Sequence, residues 1–429
     1  MDFSIFLYVA VLLLVALLST RLMKIVKLPN VTGYIITGII MGPFIFGLFF
    51  NNFSFSTAKS GIVYQFVQSL SWVSTIALGF IAFTIGTSFK VSTLKAVGKR
   101  VLIITIFESL FASLFVIGAL IVAHFLFPQY ISIELALCLG AIAAATAPAA
   151  TLMVIKQYRA KGSLVDTLLP VVALDDAVAL ILFAVLFQVA SSISGGGFDL
   201  YKMIFKPIIE ILISLVIGAG LGFVISYMNR FFKSRNNRLA ICIFSVFASV
   251  GLYYLFKNKQ LGGFELSYLL TCMMVGSVYT NMSKESGPTL DVLERFTSPI
   301  YMMFFVISGA TLDLTIFGGE SGVVVLLLAL IYVVFRVAGK YSGAYLACSL
   351  THSEDKVKKY LGFTLVPQAG VAIGLATTAS TLFGANEETA HIGALIIAVI
   401  LTSTLVYELF GPMISKWALK KAGDIEENA

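Results

Sequence analysis

Charge is what this sequence has least of. Of 429 residues 12% are charged and 59% hydrophobic, with a mean hydropathy of +0.98. A soluble domain carries roughly a quarter charged residues, so a water-exposed globule of this size is excluded. Cysteine is also sparse. Cys138, Cys242, Cys272 and Cys348 lie in apolar segments without CxxC or disulfide-like spacing, and read as small buried hydrophobes. The three histidines do not cluster with other metal ligands. His124 and His391 read as interfacial residues, while His352 stands beside Glu354 and Asp355, where it can tune a pH response. Walker, nucleophile-elbow and HExxH motifs are missing, so neither an enzyme nor a resident cofactor is expected. The net charge of +7 is spread over loops, which speaks against nucleic acid as a partner.

Long apolar runs are what the chain has in abundance, each near the ~20 residues that span a hydrocarbon core. Spans are expected near 3–20, 31–50, 68–89, 101–127, 131–155, 164–191, 204–228, 239–256, 264–282, 298–317, 321–350, 360–383 and 391–417. The first is preceded by no basic residue and followed by Arg21, Lys24 and Lys27, which argues against a cleaved signal. Loops after odd-numbered spans, with the C-terminal tail, hold 22 of the 29 Lys and Arg residues. The N-terminus and the other loops hold five, and Arg336 and Lys340 lie inside a span. The positive-inside rule then puts the N-terminus outside and the C-terminus in the cytoplasm of a cell (inner) membrane. No polar stretch is long enough for a separate soluble domain.

Internal similarity divides the chain. The second span reads Tyr34-Ile-Ile-Thr37 with Gly42 following, and the ninth Tyr268-Leu-Leu-Thr271 with Gly276 following. Gly86 and Gly309 close the third and tenth spans, and Pro148 and Pro367 follow small or polar runs in the fifth and twelfth. Spans 1–6 and 8–13 thus read as two copies joined by span 7. Seven spans separate equivalent members, so the copies are inverted, a pattern of secondary transporters.

A charge at the centre of a span costs about 2.5–3.5 kcal/mol on insertion scales. The candidates are Glu108, Asp175, Asp176, Arg336, Lys340 and Glu408. Asp175 and Asp176 sit in LPVVALDDAVALILF, far from either end of the sixth span. Helical neighbours point about 100° apart, so one carboxylate can face a basic partner and the other a watery cavity. Two close carboxylates resist being ionised together, and such a pair can trade a proton for Na⁺ or Li⁺. The alternative is a structural pair bound to Arg336 and Lys340. Lys340, between Gly339 and Gly343, is expected to pair with Asp175, and Arg336 with Glu108 as a core-stabilising pair. In AAATAPAATLMV, Pro148 with Thr146 and Thr151 suggests two half-helices meeting at a polar break. Pro367, Gln368 and Gly370 suggest the same in the twelfth span. A simple proline kink is the alternative for each.

These residues make the chain resemble the monovalent cation–proton antiporters, above all the electrogenic NhaA and NapA-type sodium/proton exchangers. The resemblance covers nearly the whole chain: LPNVTGYIITGIIMGP, TAPAAT, ALDDAVAL, FFVISGATLDL, the GK of span 11 and PQAGVAIGLA. It implies an all-α polytopic fold of about 13 helices, with two inverted six-helix repeats and crossed broken helices. It also implies a dimerising interface domain (1–100 and 239–319), a core (101–192 and 320–417), a linker helix (193–238) and a short tail (418–429). Asp176 matches the cation- and proton-binding aspartate, Asp175 its partner against Lys340, and Thr146 and Thr151 the lining of the break. Two departures stand out. NhaA has an acidic residue where this chain has Ala147, so dipole compensation must differ. Potassium-efflux relatives have glutamine-aspartate in place of Asp175-Asp176 and often a regulatory domain after the last span. The expected function is exchange of Na⁺ or Li⁺ for protons. A K⁺/H⁺ exchanger, a sodium-coupled organic-anion symporter and a membrane sensor are the rivals. Ion-specific exchange assays separate the first and labelled-substrate uptake the second, while the sensor lacks any signalling domain.

Overall fold

The computed structural model describes residues 3–26, 30–49, 61–87, 89–147, 151, 154–155, 158–194, 206–259, 266–283, 286–317, 319–386 and 389–425. Among them all regular structure is helical. In chain order the helices are α1 (Phe3–Val26), α2 (Asn30–Met41), α3 (Ile62–Ser69), α4 (Ser71–Thr87), α5 (Val91–Leu126), α6 (Ile133–Ala143), α7 (Ser163–Ser194) and α8 (Lys206–Met228). They continue with α9 (Arg235–Lys259), α10 (Tyr268–Met282), α11 (Ser286–Ala310), α12 (Gly319–Leu350), α13 (Asp355–Thr364), α14 (Gly370–Phe383) and α15 (Ala390–Lys421). Eight helices among the described residues are long and apolar enough to cross a membrane. Every segment expected to span carries at least part of one helix.

Where helices and expected spans differ, local chemistry explains it. The second helix stops at Met41 because Pro43 disfavours helical backbone at the residue before it. The tenth segment begins at Ser286, twelve residues before the expected start at 298. Asp291, Glu294 and Arg295 make its first half too polar for hydropathy to register, although they are compatible with helix. The fifth segment is helical to Ala143, irregular over 145–147, and helical again at Thr151 and at Val154 and Ile155. Pro148 lies outside the described residues. The twelfth segment is two helices, α13 and α14, separated by irregular backbone over 366–369. The side chain just before the helix caps α6 and α10: Ser132 accepts from Leu135 N–H at 3.2 Å, and Ser267 from Leu270 N–H at 3.3 Å.

Packing sorts the helices into two sets. One holds α1, α2, α4 and α8–α11, with α2 against α11 and α4 and α8 against α10. In the other, α5, α6 and α7 pack with α12–α15, and α12 runs along α5 in the most extensive pairing of the molecule. That contact depends on Gly339 and Gly343, where a Cβ would fall on the α5 backbone between Phe107 and Ala112. In the first set Gly38 lies on the Val306 carbonyl and Gly86 on the Met273 carbonyl, with the same lack of room. All four cysteines are buried and free.

Candidate functional site

The second set of helices meets at the two interruptions. Backbone links them directly: the Ala147 N–H donates to the Pro367 carbonyl at 2.8 Å. Thr146 and Thr151 add hydroxyl contacts to the carbonyls of Leu365 (3.4 Å) and Thr364 (3.1 Å). An interrupted helix strands its last carbonyls, and in a hydrocarbon environment each must find a donor. One face of α12 supplies them. Tyr332, Arg336 and Lys340 recur every fourth residue, so they share that face. All three are fully buried. Arg336 donates to the carbonyls of Ala143 (2.9 Å), Ala145 (2.7 Å) and Val366 (2.7 Å), which lie at the ends of α6 and α13. Its guanidinium also stands 4.7 Å from the ring centroid of Tyr407. Gln368 donates to Ile142 (2.9 Å) and Ala145 (3.2 Å), and its own Oε1 accepts from the Tyr332 hydroxyl at 3.1 Å. These groups neutralise two negative helix ends with positive charge and donors.

The expected Glu108–Arg336 pair is therefore corrected. The three carbonyls and the Tyr407 ring occupy Arg336, and Glu108 Oε2 lies 2.6 Å from Lys340 Nζ. Lys340 also stands 2.9 Å from Asp175 Oδ2 and donates to the Ala144 carbonyl. Ser109 closes the cluster, its hydroxyl 2.6 Å from Asp175 Oδ1 and 3.1 Å from Glu108 Oε1. Two carboxyls thus share one ammonium, and all three side chains are fully buried.

Asp176 is placed differently from its neighbour. Among the described residues its Oδ1 has no hydrogen-bond partner, and the residue keeps 7% exposure against 0% for Asp175. Thr146 lies beside both carboxyls. Glu108, Asp175 and Asp176 together outnumber the single Lys340 charge, and a dry site cannot leave that imbalance bare. Protons or a cation must balance it. Among the described residues no cluster of three His, Cys, Asp or Glu side chains is placed to hold a metal. A cation here would draw on Asp176 and on neutral hydroxyl and carbonyl oxygens, a hard donor set of low charge. Gly370 starts α14 beside the Phe305 ring.

Ser109 and Tyr332 were missed in the sequence. Both stand in register with charges that were seen, next to Glu108 and one turn before Arg336, and that spacing was the available signal. Two cavities approach from opposite ends of α2 and α11. One, of about 540 Å³, is lined by Phe44, Gln68, Phe183, Gln188, Thr377 and Thr378. The other, of about 620 Å³, is lined by Asn30, Tyr34, Asp291, Glu294, Arg295 and Phe305. Neither lining includes Asp175 or Asp176.

The fold is shared with solved structures. The sodium proton antiporter MjNhaP1 from Methanocaldococcus jannaschii at pH 8 superposes with a TM-score of 0.70 over 97% of this chain and 99% of its own, at 18% identity. An electron-microscopy structure of MjNhaP1 gives a TM-score of 0.69 over 99% and 100%, at 17% identity. No curated protein sequence matches the chain. A family model described as the transmembrane sodium/hydrogen exchanger matches residues 9–416, which takes in every residue of the carboxylate site and both interruptions, and the chain belongs to that family.

Proposed function

We propose that this chain exchanges Na⁺, or Li⁺, for protons by alternating access, with Asp176 as the shared carrier. As a family member it is a multi-pass membrane transporter and not an enzyme. The observation that carries the proposal is the contrast at one helix position. Asp175 is tied to Lys340 and Ser109, while Asp176 keeps an oxygen without a partner among the described residues, beside two joined helix interruptions.

Protonated Asp176 gives up its proton on the more alkaline side and takes a cation, helped by Thr146 and Thr151. The arriving positive charge weakens the hold of Asp175 on Lys340, and Glu108 keeps the ammonium in the site. If that pair also cycles a proton, two protons move per cation and transport is electrogenic. The helices of 101–192 and 320–417 serve as the moving core against 1–100 and 239–319, with 193–238 as linker and 418–429 as tail. Thirteen spans in two inverted repeats, a homodimer in the inner membrane, an outside N-terminus and a cytoplasmic C-terminus complete the arrangement. The glycine contacts of α2 with α11 and of α4 with α10 support the repeats, because each set pairs one segment of each copy.

Proteoliposomes with an imposed pH gradient test the scheme. Na⁺ should dissipate the gradient in wild type and not in Asp176→Asn; exchange at the normal rate by the variant would sink it. Because cation and proton compete for one carboxyl, the apparent KM for Na⁺ should rise as pH falls. Running K⁺ alongside Na⁺ and Li⁺ assigns the ion, and insensitivity to an imposed voltage would exclude net charge movement.

A further inference from the structure

The segment after α15 folds back onto the ion-carrying helix. The Asp424 N–H donates to the Leu419 carbonyl at 3.0 Å, and its own carbonyl accepts from Lys161 N–H at 2.9 Å. Its side chain is 1% exposed, and Oδ2 accepts the backbone N–H of Val165, the third residue of α7, at 3.0 Å. The first N–H groups of a helix have no partner within it and carry the positive end of its dipole. Asp424 is thus a cap delivered from some 260 residues away in the chain. Gly162 makes the room: a Cβ there would collide with the Asp424 carboxylate, and its φ of +152° favours glycine. Lys356 lies 3.7 Å from Asp424 Oδ1, and Glu354 accepts from the Ser163 hydroxyl at 2.7 Å, so α13 joins the same knot.

Val165 and Asp175 are ten residues apart, about 15 Å of helix. At the upper level Lys340 holds α7 through Asp175. Between the two levels Pro170 removes one backbone donor, which weakens the helix there. We infer that Asp424 is a positioning residue for exchange: it fixes the start of α7, so that Asp176 keeps its height against the interruptions while the Asp175–Lys340 pair loosens. This rests on Asp176 being the exchange site.

The test compares wild type, Asp424→Ala, Asp424→Asn, Gly162→Ala and the Gly162→Ala/Asp424→Ala double variant in proteoliposomes. Na⁺ is titrated, and thermal unfolding is measured on the same samples. Asp424→Ala should raise the apparent KM for Na⁺ about fivefold, the factor that results when the full ~1 kcal/mol of a lost cap is expressed at the ion site. Asp424→Asn, which keeps an acceptor oxygen, should raise it less. Gly162→Ala, which displaces the carboxylate, should match Asp424→Ala, and the double variant should be no worse than the worse single one. If wild type exchanges no Na⁺, the reading of the site itself falls. If wild type exchanges and Asp424→Ala melts lower with an unchanged KM, or if the two substitutions add, positioning is overturned.

Discussion

Arg336 and Lys340 occupy successive turns of the same face of α12, equally buried, yet their surroundings are opposite in kind. Arg336 is held by three backbone carbonyls, which neither titrate nor leave, and by the Tyr407 ring. Lys340 is held mainly by two carboxyls, with a third beside them on the next residue of α7. A guanidinium stays charged and its planar donors fit several acceptors at once, whereas an ammonium is a compact charge that exchanges partners. Under the proposed mechanism the Arg336 turn is therefore a fixture of the helix breaks and the Lys340 turn a switch. In that scheme a few ångströms of one helix separate the part that keeps its shape from the part that changes charge.

Five substitutions would break or sharpen that contrast, beginning with the largest effect. Asp176→Asn should abolish Na⁺-driven exchange and leave the melting temperature in detergent equal or higher, because it removes a carboxyl with an unpartnered oxygen. Lys340→Ala should lower stability by about 3–5 kcal/mol, the usual loss when one partner of a buried ion pair is removed. Adding Glu108→Gln should recover part of that loss, and no recovery would mean Glu108 is not a true partner. Arg336→Lys should lower stability by about 2–3 kcal/mol, since an ammonium cannot span the three carbonyls. It should leave the KM for Na⁺ per folded transporter unchanged; a shifted KM would erase the distinction between fixture and switch. Thr151→Val should produce the smallest change, about 1 kcal/mol in thermal unfolding, from the single bond to the Thr364 carbonyl.

How much of this was legible depended on whether the partners were side chains. Asp175 and Lys340 could be matched from the sequence because opposite charges inside spans have few alternatives, and they stand 2.9 Å apart. The same logic misassigned Glu108, because it sought a side chain for Arg336 when that residue is satisfied by carbonyls. Every residue has a carbonyl, so no residue type betrays one that has been stranded. Small residues and proline marked both interruptions, and the structure finds irregular backbone at 145–147 and 366–369. The early start of α11 was hidden by its own charges, and the Asp424 contact by distance in the chain. Neither leaves a periodic trace.

The burial of Cys138, Cys242, Cys272 and Cys348 has a practical side. A maleimide or spin label seeks an accessible thiolate, and this protein offers it none of its own. A single cysteine introduced at Gln68 or Asn30, in the lining of one or the other cavity, would then be the reactive thiol on a silent background. Its labelling rate, with and without Na⁺, would report on each cavity in turn.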